Sequence, residues 1–351
     1  MAVAAVLLVK SLAGVDVHAA ALAIVQIGPL APMMLAPFAI AMALDAFGMR
    51  WLLAAIGRHA PYRRLLAIRF GTEALHLSAP AGFAVGDSAT AALLDSRCGI
   101  PLSDGATIAV ARRWLVMRAH AGYIVLGAVV GWAALVAVSM RALGGRSLPW
   151  FVLASSLVPL AISSLLGASF RPGGLVAAAI GAASRAPWAW LRLRAQSWSA
   201  GATSVHARMT QIGAAPVAVW GTTVTFFACW LLESCDTAIA LRLLGAPPDF
   251  AIAIAAEVGI SLIKAIGNVA PAGLGVQDAG YAALLPAMGL TTETAAAFVV
   301  VKRAKEVAWI AFGYLLLAIQ RRGAGPHSDG CEGTRDASNG MHPLAKGEQA
   351  L

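Results

Sequence analysis

Charge is what this chain has least of. Only 12% of its 351 residues are Asp, Glu, Lys or Arg, while 59% are hydrophobic and the mean hydropathy is +0.76. A soluble domain carries about 25% charge, so a water-facing surface is excluded for most of this chain. Acid is scarcer than base: 17 Asp and Glu against 26 Lys and Arg leave a net charge of +9. In a polytopic protein that excess gathers in cytoplasmic loops, so no nucleic-acid partner is expected. Cysteine is sparse too. Cys98, Cys229, Cys235 and Cys331 lack metal or redox spacing, and Cys229 and Cys235 diverge on one helix. Nor is there an HExxH, a paired CxxC, a GxSxG or a Walker loop. The sequence therefore offers no enzyme motif, no metal site and no cofactor. Tracts of alternating ten-residue strands are missing as well, which argues against a β-barrel.

What the chain does have is apolar length. The stretches 21–48, 119–140, 149–167, 213–241 and 295–319 approach or exceed the roughly 20 residues that a helix needs to cross a bilayer. Residues 1–9 are apolar but stop at Lys10, too short to span. They read as a partial first helix rather than a cleaved signal peptide, since no basic n-region precedes them.

The chain also has a repeat. Ala79-Pro80-Ala81-Gly82-Phe83-Ala84-Val85-Gly86-Asp87 returns 191 positions later as Ala270-Pro271-Ala272-Gly273-Leu274-Gly275-Val276-Gln277-Asp278, with six of nine residues identical. Over 79–94 and 270–285, ten of sixteen positions agree. One deletion later, Gly99 aligns with Gly289 and Arg112-Arg113 with Lys302-Arg303. Each copy sets a Pro/Gly break where an apolar helix would continue, a pattern that marks transporter binding sites. Pro80 and Pro271 lack an N–H and clash with the preceding turn. Gly82 and Gly273 open backbone angles closed to other residues. Each unit thus reads as a helix (62–78; 251–268), a break, and a shorter helix (85–96; 276–287). Freed backbone groups at membrane depth need protein or a wet cavity, so each pair is expected to be a re-entrant hairpin. Full-length kinked spans would change the helix count but leave the breaks in place.

Basic residues set the orientation. The stretch 46–72 holds Arg50, Arg58, Arg63, Arg64 and Arg69 with no acid, and 168–212 holds Arg171, Arg185, Arg192, Arg194 and Arg208, also with none. Both should face the cytoplasm, while the sparsely charged loops 141–148 and 242–249 face outward, and Arg321 and Arg322 put the C-terminus inside. The copies then have opposite topology. The expected fold is all-α: a polytopic integral membrane protein with two inverted repeats, each containing a broken or re-entrant helix pair. Residues 1–320 form a single transmembrane domain, with repeat one over about 21–140 and repeat two over about 213–320. Within the linker 168–212, the segment 187–212 carries Trp188, Trp190 and Trp198 among its arginines, which suits an interfacial amphipathic helix on the cytoplasmic leaflet, a loop with membrane-belt tryptophans being the alternative. The polar stretch 321–351 reads as a disordered tail.

Four groups of residues could carry chemistry. Around the breaks, Pro80, Gly82 and Asp87, with Pro271, Gly273, Gly275 and Asp278, would line a substrate path where helix N-termini favour anions. The plainer reading is that the two aspartates cap their helices. Next come Arg112 and Arg113, with Arg118 nearby, and Lys302, Arg303 and Lys305, which would hold a phosphate in transit or else snorkel to the interface. Glu306, four residues after Lys302, would pair with it. A third group is Glu257, Lys264 and Asn268 on one helix face, answered in the first copy by Glu73 and His76. Finally Asp45 and Asp236, aligned by the same offset, and Glu233 sit in apolar lead helices. With Glu257 and Lys264 they are candidates for ion or proton coupling, helix–helix contact being the alternative.

Pro271-Ala-Gly-Leu-Gly-Val-Gln-Asp278, then Leu284-Leu285, Gly289-Leu290 and Lys302-Arg303-Ala304-Lys305-Glu306, resemble the flippase-like transmembrane family. Its known members are the membrane halves of lysylphosphatidylglycerol synthases, and the Gly-Val-Gln-Asp and Lys-Arg-x-Lys-Glu variants look most like HpnL-type, hopanoid-associated proteins. The specific part covers roughly 260–320. The synthases add a soluble aminoacyl-transfer domain where this chain has a polar tail, so it is not expected to make lysylphosphatidylglycerol itself. The resemblance implies a bacterial inner-membrane protein that moves a polar or phosphate-bearing lipid between leaflets, its partner being an anionic or zwitterionic phospholipid or a hopanoid. The alternative is a non-catalytic partner of lipid-biosynthesis enzymes, or an integral-membrane enzyme of hopanoid or phospholipid modification.

Overall fold

Helix is the only regular structure among the described residues, as expected where backbone groups must satisfy one another without water. The computed structural model describes residues 25, 27–79, 81–169, 174–247, 249–267 and 276–322, without the side chains at 191–192, 194–200, 262–267, 276 and 320–322. The expectations for Pro80, Asn268, Pro271, Gly273, Gly275, the Lys264 side chain and most of the tail therefore lie outside the described residues.

A 3-10 segment at Gly28–Leu35 leads into α1 (Ala36–Ala55), followed by α2 (Tyr62–Ser78), α3 (Gly82–Cys98) and the long α4 (Leu102–Val130). Then come α5 (Trp132–Leu143), α6 (Leu148–Ser155), α7 (Leu157–Ser169), α8 (Leu175–Ser184) and α9 (Ala189–Gly213). The second copy supplies α10 (Pro216–Leu243), α11 (Phe250–Gly267), α12 (Val276–Ala287) and α13 (Thr292–Arg322). Among the described residues, Gly28–Ala55, Leu148–Ser169 and Pro216–Leu243 are long and apolar enough to cross a membrane. The span expected at 119–140 is broken instead. α4 and α5 meet at Gly131 with a 76° bend, at a point where a Cβ would stand 2.6 Å from that of Ala255. A glycine there lets α11 approach closely at the bend.

Packing between the copies is reciprocal. The lead helices α1 and α10 lie along each other, α13 packs on α2, and α4 packs on α11. The long helix of each copy thus covers the pre-break helix of the other. Small residues permit the approach, as is usual between helices in lipid: at Gly313 a Cβ would sit 2.4 Å from the Phe70 carbonyl oxygen. Two apolar cores result. One gathers α1, α2, α3 and the first half of α4; the other gathers α11, α12 and α13 with the far halves of α4 and α10. Between them α4, α10 and α11 are tied by polar contacts. His120 stacks on Trp230 at 4.0 Å and reaches Ser261 at 3.3 Å, and Tyr123 shares a hydrogen bond with Ser234 at 2.7 Å.

Candidate functional site

The first break closes on itself tightly. Helix α2 ends at Ser78, Ala81 takes the left-handed conformation (φ 50°), and α3 starts at once with Gly82. The sequence assigned the unusual backbone to Gly82, but Ala81 carries it. What Gly82 supplies is space: a Cβ there would lie 1.8 Å from the His76 carbonyl oxygen. Because α3 begins at residue 82 rather than 85, Asp87 lies beyond the first turn and does not cap it.

Asp87 instead accepts two hydrogen bonds from Arg113 of α4, at 2.8 and 3.0 Å. In the second copy, Asp278 of α12 accepts from Arg303 of α13 at 2.7 Å. The repeat aligns Asp87 with Asp278 and Arg113 with Arg303, so the same pair follows the break in both copies. Both pairs are partly open to solvent or lipid: Asp87 is 24% and Asp278 31% exposed. Arg303 also binds Glu306 at 2.5 Å. Glu306 therefore serves Arg303 and not, as its spacing suggested, Lys302.

Deeper charges are locked in place. Arg112 grips Asp45 of α1 through two bonds, at 2.9 and 2.5 Å, and its guanidinium also lies 3.8 Å from Asp87. Arg69 of α2 adds a contact to Asp45 at 3.0 Å and another to Glu73 at 3.0 Å. Sequence reading had counted Arg69 among the cytoplasm-facing cations of 46–72, but the residue is buried. In the second copy, Lys302 binds Glu257 of α11 at 2.8 Å and the Tyr281 hydroxyl at 2.7 Å. Tyr281 donates to the same carboxylate oxygen at 2.7 Å, and Thr237 donates to it as well. Lys305 bonds Asp236, whose Oδ1 is buried without a hydrogen-bond partner among the described residues. Glu233 lies half-buried on α10, three residues before Asp236. Arg118 stacks over Trp220 at 4.1 Å.

Nearly every described candidate is thus paired across helices, and snorkelling does not account for the buried Arg112, Lys302 and Arg303. Sequence reasoning missed Arg69, Tyr281, Thr237 and Asp104. Asp104 binds Arg58 at 2.7 Å and Arg208 at 3.0 Å, so Arg208 of α9 faces a carboxylate rather than headgroups. Arg69 alone carried a visible signal, a glutamate four residues on.

Chemically, each copy sets a guanidinium against a partly exposed aspartate; Arg113 is balanced by Asp87, while Arg303 is shared between Asp278 and Glu306. Planar N–H forks bind phosphate as readily as carboxylate. No curated protein and no solved structure matches the chain. The family of the lysylphosphatidylglycerol synthase TM region does: its model matches residues 1–313, and the chain belongs to that family.

Proposed function

We propose that this integral membrane protein moves a polar, phosphate-bearing lipid between leaflets, without itself catalysing a covalent reaction. Membership of the family places it among membrane proteins of lipid modification or transport. The finer reading is carried by one observation: the same half-open Arg–Asp pair stands beside the break in each copy. A lipid phosphate can take the carboxylate's place on Arg113 or Arg303, and the aspartate reclaims the arginine when the headgroup leaves. The guanidinium is then never left bare at membrane depth, where an unpaired charge is expensive. The locked Asp45–Arg112 and Glu257–Lys302 pairs hold α4 and α13 in register beside that path.

Two copies of opposite topology, in the inner membrane with the C-terminus in the cytoplasm, would open the pairs toward opposite leaflets. Asp236, with one oxygen free of hydrogen bonds among the described residues, is the carboxylate we assign to coupling with an ion or proton. The lipid is an anionic or zwitterionic phospholipid or a hopanoid carrying a polar head.

The test is reconstitution in liposomes with fluorescent headgroup-labelled lipids and dithionite quenching. Protein-dependent quenching beyond the outer leaflet, reduced on the order of tenfold in Arg113→Ala and in Arg303→Ala, is expected. Quenching equal to that of empty vesicles, across several headgroups and with an imposed proton gradient, would point instead to a partner or enzyme in lipid modification.

A further inference from the structure

We propose that the cleft where α1 turns into α2 is a standing site for the headgroup of an anionic phospholipid, separate from the arginines at the breaks. The cleft encloses about 510 Å³, and its lining includes Phe47, Arg50, Trp51, Arg58, His59 and Tyr62.

Its walls are fixed from outside. Trp51 lies against α10 at Gly221, where a Cβ would come within 2.4 Å of the indole. Phe47 tilts against Trp51 with ring centroids 4.8 Å apart. The Tyr62 hydroxyl donates to the Ala43 carbonyl at 2.9 Å, bracing the start of α2 against α1. The shape of the cleft is therefore set by packing and not by the ligand.

Its charge is left over. Arg58 uses Nε on Asp104, and Arg208 takes the other oxygen of the same carboxylate. One carboxylate cannot neutralise two guanidinium groups, and the terminal nitrogens of Arg58 stay available. Arg50 and His59 are exposed, and Arg50 has no hydrogen-bond or ion-pair partner among the described residues. The stretch 46–72 contains no acid that could quench them.

Position selects the ligand. The cleft opens where Gly28–Ala55, a helix long and apolar enough to span, comes to its end, which is the level of lipid phosphates. Phe47 is 38% exposed, so an apolar shelf adjoins the cations, as a lipid needs and a free phosphate does not. Fork-shaped guanidinium donors match a phosphate diester. The site does not depend on translocation; a chain that moves no lipid can still hold one here.

The experiment uses the purified full chain in detergent, read by thermal unfolding and by native mass spectrometry. With the break arginines removed by Arg113→Ala and Arg303→Ala, phosphatidylglycerol should still raise the Tm saturably and remain bound in the mass spectrum, while phosphatidylcholine and inorganic phosphate should do neither. Adding Arg50→Ala with His59→Ala should weaken that response about tenfold and leave the lipid-free Tm unchanged, because both side chains are exposed. Adding Arg146→Ala instead, in an exposed loop, should leave the response as it is. An equal response to phosphatidylcholine or to inorganic phosphate would overturn the assignment. So would an unweakened response once Arg50→Ala and His59→Ala are added.

Discussion

In the first copy the acid of the lead helix, Asp45, is held by Arg112 and Arg69; in the second the aligned Asp236 meets Lys305 instead, and Lys302, aligned with Arg112, turns to Glu257. The difference follows from the cations. A guanidinium carries five N–H donors in a plane, so Arg112 can bind Asp45 twice and still lie within 3.8 Å of Asp87. An ammonium is a compact charge with three donors, and its site is completed by hydroxyls, here Tyr281 and Thr237. At the position aligned with Tyr281 the first copy has Thr90, whose hydroxyl only returns to the Gly86 carbonyl at 2.8 Å. Against this divergence, Asp87–Arg113 and Asp278–Arg303 keep the same Asp–Arg contact, although Arg303 adds Glu306 and Asp87 has Arg112 nearby. The buried supports are free to vary as long as charges balance. The Asp–Arg contact itself is kept in both copies, which is what a shared task for both breaks requires.

The comparison predicts unequal stability losses. Glu257→Ala strips Lys302 of its bonded carboxylate and should cost about 3–5 kcal/mol. Asp45→Ala leaves Arg69 with Glu73 and Arg112 close to Asp87, so its cost should be about half as large. Thermal unfolding of the two variants in detergent measures the gap. Equal losses would mean that the arginine network gives no backup and that the two supports are equivalent.

The shared pair predicts effects of the same direction in both copies. Asp87→Asn and Asp278→Asn should each change stability by no more than about 1 kcal/mol, because the pairs are partly exposed. Both should bind phosphate-bearing lipid more tightly and release it more slowly, since the arginine loses its aspartate; Arg303 keeps Glu306, so the change should be smaller in Asp278→Asn. Single-turnover quenching and lipid-binding titrations separate these two quantities. A defect confined to one copy would break the functional equivalence of the breaks.

How far the sequence reaches depends on the range of the cause. The bounds of α2 and α12 were legible because Pro and Gly interrupt the apolar run and the repeat reports each break twice. The pairing of Lys302 was not. Helical spacing points to Glu306 on the same face, whereas the partner, Glu257, comes from α11 through the fold. The close approach at Gly131 is hidden for the same reason, since Ala255, which it meets, is on another helix. Charge counting turned Arg69 toward the cytoplasm because it weighs every arginine alike, although Thr72 and Glu73, three and four residues on, both accept from it. The Asp–Arg pairs themselves were half visible: both members were singled out, but nothing local joins α3 to α4 or α12 to α13.

A further effect of about the size expected at the Asp–Arg pairs lies where the copies touch. Ser78, at the end of α2, donates to its own Ala74 carbonyl or shares its hydrogen bond with Tyr314 of α13, both at 2.6 Å. The second copy has Val269 at the aligned position, which has no hydroxyl to offer. One neutral hydrogen bond is worth about 1 kcal/mol net, so Tyr314→Phe should lower stability by that amount and Ser78→Ala by slightly more. In the double variant the losses should fall short of additivity by about 0.5–1 kcal/mol. That coupling would show that the first break is tied to the other copy by this bond. Strict additivity would leave the reciprocal packing of α13 on α2 to hold it alone, as Gly313 against Phe70 already allows.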